Sequence, residues 1–257
     1  VDQPADRPVA AKPDLLILGG GDGTISGLVD LMVGHDVVLG VLPLGTANSF
    51  SRSLGIPPTV EGAVEVIRAG HRRRIDLGMI DGDYFANCAA MGISPQIAET
   101  VPHGLKKVLG KVGYLSWAAY QFARFEPFTL IVEDEEGEHR LRVVEVRISN
   151  GPYHGGTWLV DEASVSSGEI VVQAVTGHYK RKLVENWATS FLGFKARHHQ
   201  TVSFAGKSLK VRTEPPLPIS IDGEVLAHTP ITARIAAGVI EVMAPPPETV
   251  VTPISPA

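Results

Sequence analysis

A carboxylate stands among glycines near the start of the chain, in the stretch Gly20-Gly21-Asp22-Gly23-Thr24. The apolar run before it, residues 15–18, has the length of a buried parallel strand, and we expect a helix to follow with Thr24 as its N-cap. Converging N–H groups in such a turn and the partial positive charge of a helix N-terminus can bind phosphate. Asp22 would repel that phosphate unless it holds a cation, a water or a substrate hydroxyl. The stretch therefore favours a nucleotide bound with Mg²⁺, and the alternative is a turn that only connects two elements.

A second loop of the same kind follows after one βα unit. Residues 37–42 predict a strand that runs into Pro43-Leu44-Gly45-Thr46-Ala47-Asn48. Two strands that each end in a glycine turn and a helix imply parallel strands, whose C-terminal ends share the edge where open α/β sheets bind ligands. Thr46 and Asn48 bring a hydroxyl and an amide to that edge, which suit phosphate oxygens or ribose. Alternatively, they cap the following helix, which carries Arg52.

The composition limits the class of protein. The chain has 257 residues, of which 44% are hydrophobic, so it can bury a substantial core. A net charge of −5 argues against nucleic-acid binding. The single cysteine, Cys88, excludes a disulfide framework within the chain and is expected to be a buried small hydrophobe. No apolar run reaches the roughly 20 residues that span a bilayer, so we expect a soluble or peripheral protein.

The elements that position these residues change in type along the chain. Helical spacing predicts a helix over 58–70 that ends at Gly70, and further helices over 104–125 and 180–194. After Arg72, short strands and Gly or Pro turns dominate, beginning with a hairpin at Asp81-Gly82-Asp83. We therefore predict an α/β domain, Rossmann-like, followed by an antiparallel β-sandwich. The predicted parts are a nucleotide-binding domain (1–74), a β-rich lipid or substrate domain (75–244) and a Pro-rich tail that returns to the first domain (245–257).

The two loops together resemble the catalytic domain of diacylglycerol kinases and of the related bacterial lipid kinases and sphingosine kinases. The first loop alone would also fit NAD kinases and, more loosely, phosphofructokinases, whereas the second points to lipid kinases. The resemblance covers nearly the whole chain from residue 14. It continues through Ile75-Asp76-Leu77-Gly78, Tyr84-Phe85-Ala86-Asn87, Gly92 and Asp222-Gly223-Glu224.

The resemblance implies transfer of the ATP γ-phosphoryl group to a lipid hydroxyl, with Mg²⁺. It implies that Glu224 accepts the hydroxyl proton, and that Asp22 and Asp76 hold Mg²⁺ or orient the hydroxyl. Without the resemblance, the triplet Asp222-Gly223-Glu224 would be interpreted as an ordinary β-turn. The residues expected to contact the nucleotide are Gly20, Gly21, Asp22, Gly23, Thr24, Gly45, Thr46 and Asn48.

The sequence also departs from the family's pattern. The resembled bacterial kinases begin with two further βα units and an Asn-Pro loop, so we expect a first domain truncated at its N-terminus. Their metal-binding Asp-Gly in the second domain is Ser167-Gly168 here. Because a hydroxyl is a poor ligand for a hard dication, we predict no structural metal at that turn. Gly27 and Ser49 stand where the family usually has a Glu and an Asp.

Two other functions stay open at this point. A non-catalytic lipid-binding protein could keep the kinase fold, although three converging carboxylates argue against it. An enzyme similar to NAD kinases would phosphorylate a soluble substrate. The acceptor expected for a lipid kinase is a lipid alcohol at a membrane surface, such as diacylglycerol or a sphingoid base. We expect a cytoplasmic protein that associates peripherally with the membrane, without a nucleic-acid partner and with a homodimer left open.

Overall fold

The computed structural model describes residues 13–92, 125–176 and 201–247. Its helices are α1 (Asp22–Val29), α2 (Ser49–Ser53) and α3 (Val60–Ala69), with a 3-10 turn at Asp30–Met32. Its strands are β1 (Leu15–Gly20), β2 (Val38–Pro43), β3 (Arg72–Ile80), β4 (Asp83–Phe85), β5 (Cys88–Gly92), β6 (Phe128–Glu133), β7 (Glu138–Ser149), β8 (Tyr153–His154), β9 (Thr157–Trp158), β10 (Ile170–Thr176), β11 (Thr201–Gly206), β12 (Ser208–Glu214), β13 (Pro218–Ile221), β14 (Glu224–His228) and β15 (Ile231–Met243).

The first part of the fold is a short parallel sheet. Strands β1 and β2 pair in parallel, and the end of β15 joins β2 in parallel, with Glu241 opposite Val38. The apolar faces of the helices pack against this sheet and exclude water from it, which stabilises the unit. Their fully buried side chains include Ile25 of α1, Phe50 of α2 and Ala63 of α3.

The second part is antiparallel and continuous with the first. β15 pairs with β3 and with β12, and the sheet continues in the order β12-β6-β7-β5-β13-β14. β10 pairs with β7, and β11 pairs with β10. A second apolar core fills this part, because alternate residues of its strands point to one face. Val144, Val146 and Ile148 of β7 are completely buried in it. The predicted combination of an α/β domain and an antiparallel β-sandwich is confirmed.

Several local predictions are confirmed. Helix α3 begins after Thr59, whose Oγ1 accepts the Gly62 N–H at 3.1 Å, and ends at Gly70 in the left-handed region. Asp81 and Gly82 form the two-residue turn of the predicted hairpin, with positive φ values of 52° and 113°.

Other local predictions are wrong. Helix α1 begins at Asp22 with Gly21 as its N-cap, so Thr24 is not the cap. The Gly21 carbonyl already accepts the N–H groups of Thr24 and Ile25 at 3.1 Å, which starts the helix one turn earlier. β14 is not predicted from the sequence. Alternation predicts only a short strand over residues 231–235, whereas β15 continues for eight residues more.

Some predictions fall largely or wholly on residues outside the described ranges. These are the helices over 104–125, apart from Phe125, and 180–194, and the tail beyond residue 247. The return of the chain to the first sheet is made by β15 before the tail begins.

Candidate functional site

The two glycine loops touch each other at the C-terminal ends of β1 and β2. Gly20 is in register with Pro43, and the Leu44 N–H donates to the Gly20 carbonyl at 3.0 Å. A Cβ on Gly45 would lie only 2.4 Å from the Gly21 Cα, so no larger residue fits there without displacement. The parallel strands therefore bring both loops to one edge of the sheet, as their order predicts.

Asp22 joins the first loop to the second. One carboxylate oxygen, Oδ2, accepts the Ser49 N–H and the other, Oδ1, accepts the Phe50 N–H, each at 3.0 Å. These N–H groups open helix α2 and have no partner within that helix. The predicted site acid is therefore also the cap of a neighbouring helix, and it fixes where the second loop lies.

Asn48 shapes the second loop from within. Its Oδ1 accepts the Gly45 N–H at 2.9 Å and its Nδ2 donates to the Gly45 carbonyl at 2.8 Å. The residue is buried and has a positive φ of 49°, a conformation that Asn tolerates better than most residues. Its amide is thus engaged by its own loop, whereas Thr46 is exposed.

Asp222 occupies the turn between β13 and β14. Asp222 and Gly223 have φ values of 46° and 100°, the combination that a tight two-residue hairpin requires. The Asp222 carboxylate accepts four hydrogen bonds. Its donors are Ser26 Oγ (2.5 Å) and the N–H groups of Ala86 (2.9 Å), Cys88 (3.0 Å) and Asn87 (3.2 Å). Burial raises the pKa of Asp222, and these hydrogen bonds oppose that rise because they favour the ionised form.

Asn87 lies between the two carboxylates. Its backbone N–H donates to Asp222 and its Nδ2 lies 3.5 Å from Asp22 Oδ1. Its own Oδ1 is buried without a hydrogen-bond partner. The structure therefore brings together Asp22 and Asp222 around a side chain that still offers a free oxygen.

Glu224 follows two residues after Asp222. It is exposed at the first position of β14, opposite Ile221. None of the hydrogen bonds among the described residues joins it to Asp22. Its carboxylate is thus on the hairpin that faces α1, but free of the contacts that hold Asp222.

Asp76 is placed differently. Its Oδ2 accepts the Gly168 N–H at 2.7 Å and its Oδ1 accepts the Gly238 N–H at 2.8 Å. The residue is 5% exposed, and its backbone carbonyl accepts Asn150 Nδ2 at 2.9 Å. Asp76 thus joins three distant segments of the β-rich part. Within the described ranges, no three His, Cys, Asp or Glu side chains are grouped as metal ligands.

A small hairpin, β8–β9, lies over the second loop. The Gly156 N–H donates to Ser49 Oγ at 3.0 Å, and His154 Nδ1 lies 2.7 Å from the Cys88 thiol. Burial raises the pKa of Cys88 to about 12 and lowers the pKa of His154, so burial favours the neutral form of both groups. Neither residue is predicted from the sequence to lie at the site. The available signal was their position, since Cys88 follows Asn87 and His154 precedes two glycines.

The contacts of Asp222 are not predicted from the sequence either. The resemblance favours the second acid of Asp222-Gly223-Glu224 for the chemistry, whereas the first is the one bonded to α1. The tight Asp-Gly turn was the signal, because an Asp at that position can accept N–H groups from a neighbouring strand.

The fold is the one shared by diacylglycerol kinases and NAD kinases. Two protein-family models match the chain. The family model of the diacylglycerol kinase catalytic domain matches residues 3–80, and the family model of the YegS C-terminal NAD kinase beta sandwich-like domain matches residues 87–244. Because the second match covers more than half of the chain, the chain belongs to the family of the YegS C-terminal NAD kinase beta sandwich-like domain, and its N-terminal part matches the diacylglycerol kinase catalytic domain.

Relatives of this chain cover most of its length. A protein of Synechocystis sp., named as uncharacterised, is 28% identical over 90% of this chain and 54% of its own length. A Staphylococcus haemolyticus protein, provisionally named a lipid kinase, is 27% identical over 93% of this chain and 79% of its own. The chain thus spans about half of the first relative and about four-fifths of the second.

A solved structure shows the same fold. It is a crystal structure from Bacillus anthracis, provisionally titled a diacylglycerol kinase, with a TM-score of 0.75 at 22% identity. The match covers 94% of this chain and 81% of that one. Among the described residues, no helix combines the length and apolar character needed to cross a bilayer.

Proposed function

We propose that this chain is a lipid kinase, which transfers the γ-phosphoryl group of ATP to a lipid hydroxyl with Mg²⁺. One observation carries the proposal: Asn87 contacts both Asp22 of the glycine loop and Asp222 of the β-sandwich hairpin. Phosphoryl transfer requires a phosphate site and an acceptor site at one place. This contact supports that requirement, because it joins the two parts at the glycine loops.

The first loop suits the phosphates of the nucleotide. The N–H groups of Asp22 and Gly23 open α1, an eight-residue helix, and have no acceptor within it. Such groups, together with the helix dipole, attract phosphate oxygens. Thr46 adds an exposed hydroxyl from the second loop.

The residues at this edge also fit Mg²⁺. The ion prefers oxygen ligands and is usually bound through one or two carboxylates together with substrate phosphates. The Asp22 carboxylate and the unpartnered amide oxygen of Asn87, Oδ1, are available as oxygen ligands. When bound, Mg²⁺ would neutralise charge on the transferred phosphoryl group.

Of the acids, Glu224 suits the role of proton acceptor best. Asp222 is already held by four donors, and Asp76 is 5% exposed and bonded to Gly168 and Gly238 of the β-rich part rather than to the glycine loops. Glu224 is exposed on the hairpin that Asp222 fixes in place. We therefore give Asp222 and Asp76 positioning roles, and assign the chemistry to Asp22 and Glu224.

The proposal is tested by phosphate transfer from labelled ATP to a panel of lipid alcohols, with and without Mg²⁺. We expect a labelled lipid in the presence of Mg²⁺. Glu224→Gln and Asp22→Asn should each lower the rate by at least about 100-fold, the typical effect of a lost general base. Glu138→Gln, an exposed acid of β7 paired with Arg212, is the matched control and should leave the rate unchanged.

Two outcomes would contradict the proposal. Labelling of NAD without labelling of any lipid would assign the chain to soluble-substrate kinases. Binding of lipid without any transfer would make it a non-catalytic lipid-binding protein.

A further inference from the structure

A stripe of polar side chains is buried on one face of the β-sandwich. The alternation in β7 predicts a half-buried strand with Glu145, Arg147 and Ser149 towards water. The structure contradicts this exposure, since these residues are only 4%, 3% and 1% exposed. Both faces of the strand are therefore covered, and one of them is polar.

The register extends this face to the neighbouring strands. Ser149 lies opposite Cys88 of β5, and Arg147 lies opposite Gln173 of β10. Gln173 is 2% exposed. The five residues of this polar stripe are Cys88, Glu145, Arg147, Ser149 and Gln173.

The hydrogen bonds within the polar stripe leave two buried oxygens without a partner, Glu145 Oε2 and Ser149 Oγ. Arg147 Nε and Nη2 lie 3.1 Å and 3.0 Å from Glu145 Oε1, and Arg147 Nη1 donates to Gln173 Oε1 at 3.1 Å. These contacts hold one oxygen of Glu145. The other, Oε2, is buried and has no hydrogen-bond partner.

The polar stripe does not contribute to stability as an apolar face would, so we look for another role. Apolar residues of similar size often stabilise a protein as well as a buried ion pair does. A buried carboxylate oxygen without a donor adds a desolvation penalty. Glu145 Oε2 therefore calls for a donor from outside the polar stripe.

The polar stripe begins at the proposed acceptor site. The Cys88 N–H donates to Asp222, and Glu145 lies opposite Gly92, four residues further along β5. At about 3.4 Å per residue, four residues span about 13 Å. A molecule with its reactive hydroxyl at the Asp222 turn would thus reach towards Glu145 with the groups beyond that hydroxyl.

We infer that the polar stripe binds the acceptor, and that this acceptor carries hydrogen-bond donors beyond the hydroxyl that is phosphorylated. Glu145 Oε2 accepts one of these donors, either a hydroxyl or an ammonium group. The acceptor is then a lipid with a polyol or amino alcohol head group. Plain diacylglycerol does not fit, because its other polar atoms are ester oxygens that only accept hydrogen bonds. The inference rests on the proposed function for the identity of the reaction.

Binding without nucleotide tests the inference separately from catalysis. The probes are diacylglycerol, monoacylglycerol, sphingosine and a glucosyl diacylglycerol with matched acyl chains in detergent micelles. We expect at least one donor-bearing lipid to bind on the order of 10- to 100-fold more tightly than diacylglycerol, the range for a hydrogen bond to a charged group. Equal affinity for all four lipids would overturn the inference.

Variants of Glu145 identify the atom responsible. In Glu145→Gln, the side-chain oxygen can still pair with Arg147, and an amide N–H group replaces Oε2. Because this change replaces a hydrogen-bond acceptor with a donor, the variant should no longer bind donor-bearing lipids more tightly than diacylglycerol. The double variant Glu145→Leu with Arg147→Met removes both charges together and guards against misfolding of the single variant. Glu138→Gln is the control on the same strand and should keep the preference.

The outcomes separate the two proposals. A preference that survives in both the Glu145→Gln and the double variant overturns the role of Glu145. Lipid binding with the expected preference but no phosphate transfer would overturn the proposed function and support the polar stripe. Phosphate transfer to every lipid at equal rates would support the proposed function and overturn the inference that the polar stripe selects the acceptor.

Discussion

Ser26 Oγ donates a hydrogen bond to Asp222 Oδ2 at 2.5 Å, although the two residues are 196 positions apart in the sequence. Ser26 lies one turn after Asp22 on α1, so both residues present one face of the helix to the second part of the protein. Asp222 receives this bond together with three backbone N–H groups from residues 86–88. This single carboxylate therefore fixes the β13–β14 hairpin, and with it Glu224, against the glycine loop.

We expect Ser26 and Asp222 to be energetically coupled. Asp222→Asn replaces an acceptor with an N–H group that faces other donors, and should lower the free energy of unfolding by about 2–3 kcal/mol. Ser26→Ala should cost about 1 kcal/mol. A double-mutant cycle in urea should give a coupling of at least about 1 kcal/mol. Additive effects would show that this bond does not hold the hairpin.

The contact between the glycine loops predicts a steric effect at Gly45. Gly45→Ala places a Cβ 2.4 Å from the Gly21 Cα, and backbone must move to accept it. We expect a loss of about 1–3 kcal/mol in the free energy of unfolding and weaker nucleotide binding. Gly27→Ala is the control, because no atom outside the adjoining helix backbone lies within 4 Å of its Cβ position. It should stabilise α1 by about 0.5–1 kcal/mol.

Asp76 should act on stability rather than on the chemistry. Asp76→Asn places an amide N–H group against the N–H group of Gly168 or Gly238, and should lower the free energy of unfolding by about 2–3 kcal/mol. Asp36→Asn, at an exposed position, should have no measurable effect. The measurements are chemical denaturation and the initial rate of phosphate transfer at a temperature where the variant is folded. A variant of full stability with no transfer would instead support a catalytic Asp76.

The buried imidazole of His154 should make the stability of the protein depend on pH. Burial, with Arg147 nearby, lowers its folded-state pKa below 6.5, against the opposing effect of Glu145, Asp222 and Asp22. Between the two pKa values the unfolded chain binds a proton that the folded chain does not, so stability is lost as pH falls below about 6.5 towards the folded-state pKa. Denaturation from pH 7.5 to 5.5 should show this loss. His154→Gln should flatten the slope, whereas the exposed His228→Gln should not.

Two strands and two turns next to the site are predictable from the local sequence. The apolar run of β1 with its glycines, the strand β2 with its second loop, and the turns at Asp81-Gly82 and Asp222-Gly223 follow from local periodicity and backbone preference. Parallel order then placed both glycine loops at one edge. The two glycine loops and the Asp222-Gly223 turn also carried the resemblance to the diacylglycerol kinase family, which the family models confirm.

The contacts of each carboxylate depend on the tertiary structure. Asp22, Asp76 and Asp222 are all acids near glycines in the sequence, but their partners are N–H groups from distant segments. Because a backbone N–H group has no side-chain signature, sequence alone could not distinguish a helix cap, a junction between segments and a hairpin anchor. Likewise, alternation showed that Glu145 and Arg147 share a face of β7, but burial depends on what covers that face. The physical reason is that periodicity is a local property, whereas desolvation is set by the whole fold.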